Sequence, residues 1–274
     1  MTPDTRNTAK GRIANILSVA GSDPSGGAGV QADLKAISAN GAYGMAALTA
    51  LTAQNTQGVQ GVHLVPPDFV ADQIRVVAED VRIDAVKIGM IATAEIARAV
   101  ADALPDVPVV LDPVMVAKGG ASLLAEDAVV ALREALVPKA AVITPNLPEA
   151  AALLGCAEAA TREAMAEQVQ ALRALGCGAV LLKGGHLVGE DSPDVLADAD
   201  GVHWFEGARV ATRNTHGTGC TLSAALAARI GRAEPLPEAV AEAKAYVARA
   251  IAGAGALDVG SGHGPTHHFA GLWA

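Results

Sequence analysis

Aromatic side chains are scarce in this sequence, charge is sparse, and long apolar runs are missing. Phe, Trp and Tyr make up 3% of the 274 residues, too few for the stacking platforms that hold nucleic-acid bases. Charged residues are 18%, and the balance is acidic: 29 Asp and Glu against 20 Lys and Arg, a formal net charge of −9. That disfavours a nucleic-acid partner, whose affinity comes largely from Lys and Arg on phosphates. Free nucleotides stay open, because helix N-termini bind phosphate through backbone dipoles. There are three cysteines, Cys156, Cys177 and Cys220. An odd number, widely spaced and without C-x-x-C, makes neither a disulfide framework nor a zinc knuckle, and it suits a reducing cytoplasm. No apolar run approaches the ~18 residues that span a bilayer, so no membrane partner is expected. Lys10 and Arg12 before Ile13–Ala20 imitate a signal peptide only faintly, since the stretch is short and contains Asn15. Residues 1–12 read as a disordered lead-in.

What is present is apolar side chain, 51% of the chain. That is enough for a sizeable core without disulfide or metal staples. Short apolar runs alternate with helical patterns. Strands are expected at Ile13–Ala20, Met45–Ala53, Ala85–Met90, Val107–Val114, Ala141–Asn146 and Ala179–Gly184. Between them Val30, Leu34 and Ile37 recur at helical spacing. So do Val70, Ile74, Val77 and Val81 after Pro66-Pro67-Asp68, then Ile96–Ala103, Val129–Leu136 and Met165–Leu172. Val202–Phe205 and Ala208–Thr212 look like antiparallel edge strands, and Gly219–Arg229 and Pro237–Ala252 like two final helices. The alternation predicts an α/β fold over residues 13–274, a mostly parallel sheet with helices on both faces. Ligands bind such sheets at the carboxyl ends of the strands, where Gly21-Ser22-Asp23, Gln54-Asn55, Asp112, Asn146 and Lys183 fall.

Three motifs carry chemistry. Ser25-Gly26-Gly27-Ala28-Gly29 opens a helix, either as a turn that needs positive φ or as a close backbone approach to a small ligand. It lies six residues beyond the strand with no acid ~20 residues on, so it is a poor dinucleotide fingerprint. No Walker P-loop pattern occurs. The strongest motif is Asn214-Thr215-His216-Gly217-Thr218-Gly219-Cys220-Thr221 before a helical face. Free N–H groups there would bind an anion, and Cys220 in the first turn would have its thiol pKa lowered by the helix dipole. The plainer reading is a capped helix with a structural cysteine. Asn146-Leu147-Pro148-Glu149 offers an amide and a carboxylate suited to Mg²⁺, or simply a helix cap. The histidines show no ligand spacing, and His267-His268 is expected to be a partly buried, hydrogen-bonded pair.

Together these motifs resemble a known family. Gly21 through Lys35, Thr52-Ala53-Gln54-Asn55-Thr56, Lys87-Ile88-Gly89-Met90, Thr144 through Ala150, Lys183-Gly184-Gly185-His186, Asn214 through Thr221 and Gly264-Pro265-Thr266-His267-His268-Phe269 are similar to the bacterial hydroxymethylpyrimidine/phosphomethylpyrimidine kinases of thiamine biosynthesis. The resemblance implies a ribokinase-like three-layer α/β sandwich with a reduced lid, commonly a homodimer, using ATP and Mg²⁺. It implies that Asp33 and Gln54 hold the pyrimidine and its hydroxymethyl group, and that Gly21, Met90 and Val114 line the ring pocket. Gly217, Thr218 and Gly219 would form an anion hole. Cys220 would be the base, with Asp33 next in line. Asp112, Asn146 and Glu149 would match the Mg²⁺–phosphate region, Lys183 and Thr215 the nucleotide side, and Ala117–Ala121 a flap. Most ribokinase-like sugar kinases carry Asp where this chain has Cys220; cysteine there is also similar to some pyridoxal kinases. Pyridoxal phosphorylation, or a non-catalytic pyrimidine or nucleotide sensor, are the alternatives.

Overall fold

The first apolar run forms a central strand. In the computed structural model, which describes residues 12–115 and 126–273, β1 (Asn15–Ala20) leads into α1 (Gly29–Ala39) and β2 (Tyr43–Leu48). Then come β3 (Ala50–Asn55), β4 (Gly58–Leu64), α2 (Pro67–Asp80), β5 (Ala85–Ile88), α3 (Ala94–Ala103) and β6 (Val109–Leu111). The chain continues through α4 (Glu126–Ala131), β7 (Val142–Ile143), α5 (Leu147–Leu154), α6 (Arg162–Arg173) and β8 (Ala179–Lys183). It closes with β9 (Asp194–Ala197), β10 (Val202–Phe205), α7 (Thr218–Gly231) and α8 (Leu236–Ala252). Residues 1–11 of the expected lead-in and the expected flap at 117–121 lie outside the described residues.

Eight strands share one sheet in the order β10-β9-β8-β7-β6-β5-β1-β2. From β2 to β8 all neighbours are parallel, whereas β9 is antiparallel to β8 and β10. Strands so covered must be apolar on both faces, and Ile16, Leu17 and Val19 of β1 have no exposed surface. Apolar side chains of α2 to α6 pack on one face of the sheet, and those of α1, α7 and α8 on the other. Local chemistry sets the helix starts. Pro67 occupies the first turn of α2 with Asp68 beside it. Thr93 Oγ1 accepts from Ile96 N at 3.3 Å to cap α3.

Two strand assignments from the sequence need correction. The run Met45–Ala53 is two strands, not one. It leaves the sheet at Thr49, whose N–H bonds Ala20 O while its carbonyl accepts from Val65 N. Beyond Thr49, β3 pairs with β4 in a separate two-stranded ribbon. The glycines of β4 and Gln60 break the apolar alternation that marks a strand in sequence. At the other edge, β10 pairs with β9, and Ala208–Thr212 forms no strand. β9 was hidden because Asp194 opens it in an acidic stretch. That carboxylate is matched by Lys244 Nζ at 2.5 Å and Gly184 N at 2.9 Å. The helix expected over Val129–Leu136 begins as α4 and continues as a π-helical turn over Leu132–Leu136.

Candidate active site

The strand order reverses at β1, which has β2 on one side and β5 on the other. Crevices form at the carboxyl ends of strands at such a point. A cavity of about 870 Å³ opens there, and most of the expected site residues line it: Gly21, Gln54, Met90, Asp112, Val114, Asn146, Glu149, Lys183, Thr215 and Gly217 through Cys220.

The Gly-rich loop is folded by Asp23, whose carboxylate accepts from Ser25 N, Gly27 N and Ala28 N. Burial would raise Asp23, but hydrogen bonds from His216 and Ser25 hold it at about 2. His216 Nε2 lies 2.8 Å from Asp23 Oδ2 and ties this loop to the one before α7. Two glycines make the closure possible. Gly29 has φ 55°, and a Cβ there would fall on Gly21 O; Gly217 has φ 76°, and a Cβ there would fall on Gly27 O. Thr218 and Gly219 follow at the open N-terminus of α7, which has no side-chain cap. An uncapped end of this kind favours an anion, with Thr218 N also donating to Thr215 O at 3.3 Å.

Across the cavity Asn146 and Glu149 form the reciprocal cap of α5. Glu149 N donates to Asn146 Oδ1 and Asn146 N to Glu149 Oε2, each at 2.8 Å. Lys183 Nζ lies between two carboxylates, 3.0 Å from Asp112 Oδ1 and 3.9 Å from Glu149 Oε2. Burial pushes Glu149 up to about 7, Lys183 opposing and Asp112 adding. Burial also works against Asp112, but Lys183 and Lys87 bring it below the ordinary carboxylate range.

Two expectations fail. Asp33 does not reach the cavity: it has no exposed surface, and its carboxylate is taken by Lys87 and Ser18. It stands on the inward face of α1, one turn behind the Gly-rich loop, so neither ring binding nor direct proton abstraction is open to it. Cys220 does sit in the first turn of α7 on the cavity wall, but its thiol is raised, not lowered. Burial pushes it up to about 11, with Lys87 opposing and Asp33 and Asp112 adding. Burial, a tertiary effect, outweighs the local pull of the helix dipole.

Residues 23–267 match the model of the phosphomethylpyrimidine kinase family. The chain belongs to that family. A hydroxymethylpyrimidine/phosphomethylpyrimidine kinase of Escherichia coli K12 is 55% identical over 262 residues, covering 94% of this chain and 98% of the relative. Among solved structures, an ADP complex of Bacillus subtilis pyridoxal kinase superposes with a TM-score of 0.85 at 37% identity, covering 94% of this chain and 98% of that one. A phosphomethylpyrimidine kinase from Clostridium difficile 630 gives 0.77 at 39% identity, covering 87% and 99%. The α/β sandwich described above is therefore the ribokinase-like fold of these vitamin kinases.

Within this family frame, three residues carry more than the sequence assigned them. Asp23 and His216 join the two glycine loops, and Lys87 is a fully buried cation. All three stood inside motifs already singled out. The available signal was a titratable group in a glycine loop, and a lysine in the otherwise apolar run Ala85-Val86-Lys87-Ile88.

Proposed function

We propose that this chain phosphorylates 4-amino-5-hydroxymethyl-2-methylpyrimidine with ATP, and then phosphorylates the monophosphate to the diphosphate, for thiamine biosynthesis. The observation that carries the reading is one cavity lined by the Gln54 amide, the uncapped N-terminus of α7 and the half-buried Lys183. Gln54 offers both donor and acceptor to an aminopyrimidine edge. Gly21, Met90 and Val114 supply apolar or flat wall for the ring. Gly217, Thr218 and Gly219 present N–H groups to the charge that develops on the transferred phosphoryl group, and Lys183 and Thr215 lie on the nucleotide side.

The acceptor oxygen bonds to the γ-phosphorus as the bond to ADP breaks, a reaction that depends on position and charge more than on covalent help. For the first acceptor, an alcohol, a base is required, and Cys220 is the group placed to take the hydroxyl proton. In the resting site it is a thiol, so only its thiolate form accepts that proton. The donor set fits Mg²⁺ of one kind. Among the described residues no cluster of three or more His, Cys, Asp or Glu forms a cage. Asp112 and Glu149 with Asn146 instead suit an ion brought in on phosphates and held largely through water. Such an ion would neutralise phosphate charge.

The β3–β4 ribbon supports a homodimer. It exposes Leu51 on one face and Val62 and Leu64 on the other, and a two-stranded ribbon needs cover to be stable. The deciding experiment is ADP release with saturating ATP, with and without Mg²⁺, given the pyrimidine alcohol, its monophosphate or pyridoxal. Higher kcat/KM on both pyrimidines supports the reading. Preference for pyridoxal would make this a pyridoxal kinase, in line with its structural likeness to one, and no turnover on any acceptor would favour a sensor.

A further inference from the structure

The Gly-rich loop and the loop before α7 are joined by one side-chain hydrogen bond between buried groups. His216 Nε2 lies 2.8 Å from Asp23 Oδ2, and both residues are buried. The Asp23 carboxylate also accepts from Ser25 N, Ser25 Oγ, Gly27 N and Ala28 N. With its carboxyl held at about 2, Asp23 is only an acceptor at neutral pH. The proton of the shared bond is therefore on His216 Nε2.

Close contacts leave the ring little freedom. A Cβ on Gly27 would stand 2.3 Å from His216 Cδ2, so the imidazole packs directly on that glycine. A Cβ on Gly217 would stand 1.8 Å from Gly27 O. Gly27 is thus where the His216 ring and the start of α7 both meet the Gly-rich loop. The backbone of His216 is fixed by a third segment: its N–H donates to Gly264 O at 3.1 Å, and its carbonyl accepts from Thr266 N at 3.4 Å. Gly217, next in the chain, accepts from Thr221 N at 2.8 Å as α7 begins. The His216 side chain therefore fixes the first turn of α7 against the Gly-rich loop, and Gly217, Thr218 and Gly219 follow it directly.

We propose that His216 is a positioning residue for both phosphoryl transfers: through its bond to Asp23 it holds Gly217, Thr218 and Gly219 where they meet the transferred phosphoryl group. This rests on the kinase reading given above. The ring neither gives nor takes a proton in the reaction. Charge develops on the phosphoryl group whether the acceptor is the alcohol or the monophosphate, so both steps depend on His216. Cys220, as base, serves the alcohol alone.

The test compares two amides of different reach. His216→Gln is long enough to keep a donor at Asp23; His216→Asn is too short. kcat is measured with ATP, Mg²⁺ and each acceptor saturating, because His216 Nε2 also lies 3.5 Å from Gln54 Nε2 and its loss can alter KM for the pyrimidine. His216→Asn is expected to lower kcat about 10- to 100-fold on the alcohol and on the monophosphate alike, the effect of a misplacement of about 1 Å. His216→Gln should stay close to wild type. Adding Asp23→Asn to His216→Asn should cost no more than the worse single variant, because both break one bond. A loss confined to the alcohol, equal losses in the Asn and Gln variants, or losses that multiply in the double variant overturns the proposal. Should His216→Asn fail to fold, Asp23→Asn carries the same comparison of the two acceptors. Amide hydrogen exchange of peptides covering residues 25–29 and 214–220 needs no turnover. It should quicken at both loops in His216→Asn and not in His216→Gln; unchanged exchange in His216→Asn overturns the proposal. Wild-type protein that releases no ADP counts against the kinase reading, and exchange then decides whether His216 holds the two loops together.

Discussion

At the level of single side chains, the proposal gives recognition to Gln54 and proton transfer to Cys220. Gln54 lines the cavity with its Oε1 3.3 Å from Thr52 Oγ1 and its Nε2 3.5 Å from His216 Nε2. Gln54→Ala should raise KM for the pyrimidine roughly 5- to 150-fold, the ~1–3 kcal/mol of a lost buried partner, and leave KM for ATP nearly unchanged; steady-state kinetics on both substrates check it. Cys220→Ala should cripple phosphorylation of the alcohol, where a base is worth ~10²–10⁴-fold. It should largely spare the monophosphate, which is already ionised above its second pKa near ~6. Since burial pushes the resting thiol up to about 11, kcat/KM for the alcohol should climb with pH above neutrality in wild type and lose that climb in Cys220→Ala. Equal losses in both steps would place Cys220 in the anion hole or the helix packing instead.

The element that matters most is the first turn of α7, which the chain's C-terminal segment braces from behind. Thr221 Oγ1 donates to Gly217 O at 2.8 Å and meets His268 Nε2 at 3.1 Å. His267 and His268 are both buried, more deeply than the partly buried pair expected, and each is hydrogen-bonded. Burial, with Lys35 and His267 adding, lowers His268 from 6.5 to about 4. Between those values the unfolded chain binds the proton and the folded one does not, so stability rises with pH through that window. The contribution is full above about pH 6.5 and is lost as pH falls through 4. It amounts to about 3 kcal/mol, at ~1.4 kcal/mol for each pH unit between the folded and unfolded values. Chemical denaturation at pH 7 and pH 4.5 should show a larger loss in wild type than in His268→Gln.

For the whole molecule, the ribbon that carries Gln54 into the cavity is also the part least supported by the main sheet. The proposed homodimer would bring a second copy against its exposed Leu51, Val62 or Leu64. Sedimentation should give about twice the 27.5 kDa of one chain. Leu51→Asp with Val62→Asp should return it to one chain and weaken pyrimidine binding through Gln54. A monomeric wild type would leave the ribbon to stand on its own contacts.

The order of elements, the parallel sheet and the edge that holds the site were legible in the sequence, because periodicity and turn residues are local properties. So were the glycine loops, whose backbone needs are written in residue type. Asp33 was not legible: a carboxylate on a helix reads alike whether it faces a substrate or a lysine 54 residues away. The Cys220 thiol was misjudged for the same reason. The helix dipole is local, whereas the burial and the charges of Lys87, Asp33, Asp112 and Lys183 exist at that sulfur only once β5, β6, β8 and α1 have packed around it. Sequence determined which groups the chain carries and on which elements; tertiary structure decided which of them meet, and hence their charge.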